Sequence, residues 1–170
     1  MQRRQVLSAA TGLAASLVAP AVRSQAANAI VLGQSAAFSG PASELGEQFK
    51  RGAALMFDRT NARGGVAGRP IELLSLDDGY EPERCAANTR KFIEQGVFAL
   101  FGYIGTPTSL AALPLATAAK LPFVAPFTGA EALRVPFNRY AFLVRASYFD
   151  ETAAIVKQIT SMSIQRVGVF

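Results

Sequence analysis

Histidine is absent from the 170 residues, and cysteine occurs once, at Cys85. Without histidine the chain can build neither a His/Cys zinc site nor a Ser-His-Asp triad. A single cysteine forms no intrachain disulfide, whatever the compartment. Clustered positive charge is also scarce. The chain carries 17 basic and 12 acidic residues, a net charge of +5. Residues 1–26, read below as a removable signal, hold Arg3, Arg4 and Arg23 and no acid. The remaining 144 residues therefore carry 14 basic against 12 acidic residues, a net charge of +2. In that remainder Lys50-Arg51 and Arg90-Lys91 are the adjacent basic pairs. Proteins that track phosphates need clustered Lys and Arg, so a nucleic-acid partner is excluded. Long apolar runs are missing too. After the first 26 residues no segment approaches the roughly 20 apolar residues needed to span a bilayer.

The first 26 residues read as an address. Arg3-Arg4-Gln5-Val6-Leu7 opens an Ala- and Leu-rich stretch that runs to Val22. Ser24-Gln25-Ala26 fits a small-x-small cleavage site, leaving Ala27 as the first mature residue. Charged, apolar and small residues in that order make an export signal. The paired arginine resembles the twin-arginine type. Gly12, Ser16 and Pro20 interrupt the run and argue against a membrane anchor.

From residue 27 the pattern alternates. Apolar runs predict strands over 29–36, 71–76, 97–102 and 122–126, an extended segment over 140–144 and another strand over 167–170. Between them, apolar residues at steps of three and four predict helices over 42–62, 82–95, 106–119 and 150–162. The inner face of the first helix is read as Leu45, Phe49, Ala53, Met56 and Thr60. Pro82 suits a first helical turn and Gly96 a helix end. Residues 128–139 read as a loop. Continuous apolar strands alternating with helices indicate an α/β, doubly wound parallel sheet with helices on both faces. Right-handed crossovers give strand order 2-1-3-4. Antiparallel pairing of 30–35 with 71–76 would contradict this order.

Ligands of such sheets sit outside the carboxyl ends of the strands. That rule selects the loops over 38–45, 77–82, 103–108 and 127–129. In Gly102-Tyr103-Ile104-Gly105-Thr106-Pro107-Thr108-Ser109, a strand opens into a helix. Thr106 reads as the N-cap, Pro107 as the first helical residue, and Gly105 as a point of close approach. Free N–H groups there favour an anion; ordinary capping with no ligand is the alternative. No Gly-Lys-Ser/Thr follows, so it is not a P-loop. Asp77-Asp78 read as a solvated turn with an Asp capping the next helix, rather than as acid/base groups or metal ligands. Cys85 reads as a small buried apolar residue. Tyr80, Tyr103, Phe127 and Tyr148 stand near strand ends. Aromatics there either wall a pocket or belong to the core.

Ala37-Phe38-Ser39-Gly40-Pro41 followed by Gly46 and Gly52-Ala53 resembles the opening of the branched-chain amino-acid-binding family, the type I solute receptors of bacterial ABC importers. Asn61-Ala62-Arg63-Gly64-Gly65 is similar to that family's Asn-x-x-Gly-Gly turn. Asp77-Asp78 with Pro82, Gly102 with Thr106 and Thr108, Pro126 with Thr128, and Arg145 then follow in family order.

The resemblance implies two doubly wound lobes with a ligand between them. It implies that Gly105 and Thr106 grip an amino acid's carboxylate, and that Phe127, Thr128 and Gly129 serve its ammonium. Leu45 and Tyr103 would lie beside the ligand side chain, and Tyr148 where the chain crosses to the second lobe. Gly105 stands where relatives usually place Ser, Gly129 where some place Thr, and Phe127 replaces a small residue. The domains implied are an export signal over 1–26, an N-terminal ligand-binding lobe over 27–146, and the incomplete start of a second lobe over 147–170. The chain thus resembles an N-terminal fragment of a periplasmic receptor. The resemblance implies that it binds an amino acid or similar small carboxylate and meets an ABC-transporter permease. A sensing domain for a membrane receptor is the alternative, and a doubly wound hydrolase using Asp77-Asp78 a remote one. No enzyme activity, cofactor or metal is implied. With one wall missing, binding is expected to be weak, on the order of millimolar or about 4 kcal/mol. Ile155, Val156, Ile159, Val167 and Val169 are expected to lie exposed.

Overall fold

The structure is a computed structural model that describes residues 28–168. The export segment and Val169 lie outside the described residues. Strand β1 (Ile30–Ala36) occupies the centre of one half of a sheet. It pairs in parallel with β2 (Ile71–Asp77) through seven residues on one side and with β3 (Ala99–Phe101) on the other. Beyond β3 lie β4 (Phe123–Val124) and β5 (Ala141–Phe142), again parallel. The order is β2-β1-β3-β4-β5, so the expected 2-1-3-4 holds and gains one edge strand. That strand falls inside the segment expected to be extended.

Helix α1 (Ser43–Asn61) covers one face of the sheet, and α2 (Pro82–Glu94) with α3 (Thr106–Ala118) the other. Two glycines mark the faces. A Cβ on Gly33 of β1 would sit 2.6 Å from the Phe92 ring of α2. A Cβ on Gly102 would sit 2.4 Å from the Phe49 ring of α1. The main core lies on the α2–α3 side, where Phe92, Leu100, Tyr103, Phe123 and Leu133 are almost fully buried. Leu133 belongs to a short 3-10 turn, Glu131–Leu133, inside the stretch expected to be all loop. On the α1 side Phe49 and Phe57 meet Phe101 at ring separations of 5.9 and 5.4 Å.

The phase of α1 differs from the expected face. Met56 is 59% exposed and Leu45 43%, while Gly46 is buried and Phe57 turns inward. The cause is a backbone approach. A Cβ on Gly46 would fall 1.9 Å from the Ala37 carbonyl oxygen, so the helix seats with its glycine on β1's exit. At its other end Asn61 bridges to β2. Its side chain accepts from Ile71 N–H and donates to Ile71 C=O, both at 2.8 Å. This gives the Asn-x-x-Gly-Gly segment its physical role: the amide bolts the helix end to the next strand.

Helix α4 (Tyr148–Ser161) begins two residues earlier than expected because Ser147 and Asp150 form a capping box. None of its residues is buried. Ile155, Val156 and Val167 are more than half exposed, as expected, and Ile159 is half-buried. Val167 and Gly168 are not in a strand.

Replacing Gly33 by alanine should press a methyl group into Phe92, which is fully buried and has nowhere to go. Overpacking of this kind costs about 1–3 kcal/mol. A urea titration of Gly33→Ala should show a lowered midpoint with an unchanged slope.

Candidate functional site

All five strands point their carboxyl ends to one edge, and the loops there are stitched together. Asp77, the last residue of β2, reaches across to the loop after β1. Its Oδ1 accepts from the N–H groups of Phe38 (2.8 Å), Gly79 (2.9 Å) and Ser39 (3.2 Å). Its Oδ2 accepts from Ser39 Oγ (2.6 Å) and from Arg84 Nη2 (3.0 Å). Burial opposes ionisation. The donors from Ser39, Phe38, Gly79 and Arg84 outweigh it and hold the carboxyl well below the ordinary range.

Asp78 is fully buried, which raises its pKa against the bond from Ser35 Oγ at 2.7 Å. Its other oxygen accepts the N–H of Tyr80 at 2.9 Å. The expected solvated turn is therefore corrected. Both aspartates organise backbone, and the residue capping α2 is Glu81, without a side-chain cap bond. Tyr80 itself has φ +71, a left-handed conformation that costs a residue with a Cβ on the order of 1–3 kcal/mol.

Cys85 is buried, as expected, and burial pushes its thiol up to about 12. Among the described residues no group of three His, Cys, Asp or Glu could hold a metal ion. Asp77 is committed to five donors, the Ser39 hydroxyl among them.

The loops after β3 and β4 run side by side. Ile104 and Phe127 form a parallel bridge. The N–H of Phe127 donates to Tyr103 O at 2.7 Å, and that of Gly105 to Phe127 O at 3.4 Å. Gly105, with φ +96, is the N-cap of α3 and makes no side-chain cap bond. The expectation that Thr106 caps the helix is corrected: it is the first helical residue, and Pro107 the second. This frees its hydroxyl, which meets Thr128 Oγ1 at 2.6 Å. Thr128 Oγ1 also accepts from the N–H of Ala130 (3.1 Å) and lies 3.3 Å from the hydroxyl of Tyr148.

Three hydroxyls in a row own three protons, and their two mutual bonds use two. One O–H at an end of the chain is left to donate outward. The N–H groups of Thr106 and Thr108 find no acceptor among the described residues, so they add the donor character of a helix start. The Tyr148 hydroxyl is drawn below the ordinary phenol range, first by Thr128 and then by Thr106.

Tyr148 arrives from the far side. Its N–H donates to Gly129 O at 2.8 Å, and a Cβ on Gly129 would lie 2.7 Å from its ring. Glycine at 129 is thus a packing requirement. Arg145 lies over the rings of Phe127 (4.9 Å) and Tyr148 (5.3 Å) and pairs with Glu151 at 2.7 Å. Of the expected site residues, the structure brings together Gly105, Thr106, Phe127, Thr128, Gly129 and Tyr148. It does not bring Tyr103. That side chain is fully buried, bonded to Thr89 Oγ1 at 3.0 Å and set edge-on to Phe123. Gly102, with φ +64, breaks the strand alternation just before it and turns the ring into the core. Leu45 lies in the first turn of α1, half-exposed.

A family model described as "Periplasmic binding protein" matches residues 29–170. The chain belongs to that family. The Leu/Ile/Val-binding protein BraC3 of Rhizobium johnstonii is 33% identical over 104 residues, 61% of this chain and 28% of the relative. A crystal structure of a possible leucine/isoleucine/valine-binding protein from Rhodopirellula baltica superposes with TM-score 0.74 at 41% identity, over 80% of this chain and 37% of that one. The branched-chain amino acid transporter substrate binding protein LivJ of Streptococcus pneumoniae, in complex with isoleucine, gives 0.64 at 26% identity, over 70% and 34%. The chain therefore spans between a quarter and two fifths of these relatives' lengths. The family's description names binding proteins and implies a periplasmic location.

Asp77 predicts an acid limit. A carboxylate with a depressed folded pKa stabilises the fold above its ordinary value of 3.8 and loses that contribution as pH falls towards its lower folded value. Asp78, raised by burial, runs the other way and loses its contribution as pH rises through its folded value. Urea melts at successive pH values should show stability declining below the ordinary carboxylate range. Asp77→Asn should flatten that acid limb.

Proposed function

We propose that the chain is the ligand-binding lobe of a solute receptor that takes an amino acid or similar small carboxylate and delivers it to an ABC-importer permease. The observation that carries this reading is the Thr106–Thr128–Tyr148 hydroxyl chain, with one outward O–H, beside the open N–H groups at the start of α3. A carboxylate offers acceptors and nothing else, so it complements donors held in place by backbone. The relatives named for leucine, isoleucine and valine, one of them solved with isoleucine, support this ligand class.

In this reading Gly105 and Thr106 face the carboxylate, while the carbonyl of Phe127 and the hydroxyl of Thr128 serve the ammonium. Residues 1–26 direct export. Residues 27–146 form the first lobe, and the chain enters a second at 147. Ser147 supports that boundary, because its capping box starts a helix with no residue buried against the first lobe.

The test is a thermal-shift screen against L-leucine, L-isoleucine, L-valine, other amino acids, amides and aromatic acids. A ligand of the native state must raise the melting temperature by mass action. Thr128→Val keeps the shape of the side chain and removes the hydroxyl. Hydrogen bonds to a charged group contribute about 1.5–3 kcal/mol, so amino-acid affinity in an NMR titration should fall about tenfold or more. No shift with any ligand of the screen would sink the reading.

A further inference from the structure

The loop after β2 reaches the same edge, and one of its side chains has no assigned role. Tyr80 projects onto Gly105. A Cβ on that glycine would lie 2.4 Å from Cε2, 2.6 Å from Cζ and 2.7 Å from the phenol oxygen of Tyr80. The phenol therefore occupies the space a side chain at residue 105 would fill. Residue 105 is the N-cap of α3, the position where a Ser, Thr, Asp or Asn oxygen ordinarily serves a helix start. Here the position is bare, and an oxygen from another loop stands in its place.

That oxygen is uncommitted, with no hydrogen-bond partner among the described residues, and Tyr80 is 39% exposed. A packing residue would have gained more by full burial. The backbone shows the same emphasis. Tyr80 is held left-handed, with its N–H on a buried carboxylate that Ser35 fixes from behind. The phenol is thus delivered to Gly105 by a chain of buried bonds that runs back to β1.

We propose that Tyr80 is a specificity-determining residue of the ligand site, whose phenol hydroxyl donates to the ligand's carboxylate at the start of α3 and whose ring limits the space beside it. Thr106 meets the carboxylate beside Gly105, and Tyr80 reaches the same glycine from the loop after β2. The ligand class this selects is a free carboxylic acid over its amide, because an added O–H donor rewards an anionic oxygen most. This role rests on the loop edge being a ligand site, as proposed above.

The experiment uses the whole chain and Tyr80→Phe, which keeps the ring and removes the hydroxyl. The hydroxyl has no protein partner, so the ligand-free melting temperature should not change. Affinities for L-leucine and L-leucinamide are measured by NMR titration. Loss of a charge-assisted donor should weaken L-leucine about tenfold and leave L-leucinamide nearly unchanged, so preference for the acid falls about tenfold. A structural role for Tyr80 would weaken both ligands alike, and that result overturns the proposal. So does an unchanged preference. If the unsubstituted chain binds no ligand of the thermal-shift screen, the receptor reading itself fails, an outcome distinct from binding that Tyr80→Phe leaves untouched.

Discussion

Parallel pairing of β1 on both of its edges is the constraint from which the rest follows. A parallel strand cannot turn back on itself through a short loop, so each connection must leave the carboxyl edge, cross as a helix and return at the opposite edge. The loops after β1, β2, β3 and β5 therefore lead into α1, α2, α3 and α4, and helix starts collect at the exit edge. The sheet is narrow, and β3 and β4 contribute only three and two residues. Precision at the edge then depends on side chains that tie neighbouring exits together. Asp77 ties the first two, and the Ile104–Phe127 bridge extends the sheet between the next two. Thr128 sits one residue beyond that bridge and Thr106 two, and the bridge holds their hydroxyls within reach of each other.

The alternation of strands and helices was legible because it depends on side-chain patterning, which is local. Pro82 at the start of α2 and Gly96 at its end were legible for the same reason. What failed depended on backbone approach. The phase of α1 was misread because Gly46 carries no hydrophobic weight, yet its contact with Ala37 O sets the helix's rotation. Tyr103 was placed beside the ligand by the family resemblance, and only the left-handed Gly102 shows that its ring turns inward. The box at Ser147 and Asp150 was readable as a serine followed by an acid three residues on. Tyr80 was visible as an aromatic near a strand end, but no sequence signal announces a left-handed tyrosine. Thr106 and Thr128 were each picked out, while their 2.6 Å contact across 22 residues belongs to the sheet.

The two ends of the chain differ in what holds them. The core under α2 and α3 is closed, with Phe92, Leu100 and Phe123 fully buried. Helix α4 has no such support and keeps its form by local means. These are the Ser147–Asp150 box, an acidic first turn, and the Arg145–Glu151 pair that joins the helix to its approach. Arg134 adds a clamp, donating to the carbonyls of Arg145 and Ala146 at 2.7 and 2.9 Å. Such features fix where α4 begins and leave its apolar stripe, Ile155 and Val156 included, uncovered. The start of α4 is thus anchored to the site through Tyr148, and its remainder is free of it.

The electrostatics of the edge favour recognition by dipoles over recognition by charge. Arg145 lies beside the hydroxyl chain on the Tyr148 side, but Glu151 holds it in a two-bond pair and its guanidinium lies across Phe127 and Tyr148. Arg84 is likewise bound to Asp77. With both of these cations paired, the donors left to meet an anion there are neutral: the one outward O–H of the Thr106–Thr128–Tyr148 chain, the O–H of Tyr80, and the N–H groups that open α3. Neutral donors do not draw anions from a distance, so a field of this kind discriminates by geometry rather than by net charge. Under the proposed reading that suits an amino acid, which is a zwitterion with no net charge to attract. Its two ends lie a few ångströms apart, and a site of directed dipoles can address each separately. Such dipoles gain most where water is excluded. The strength of binding therefore depends on how completely the loop edge is covered when the ligand is in place.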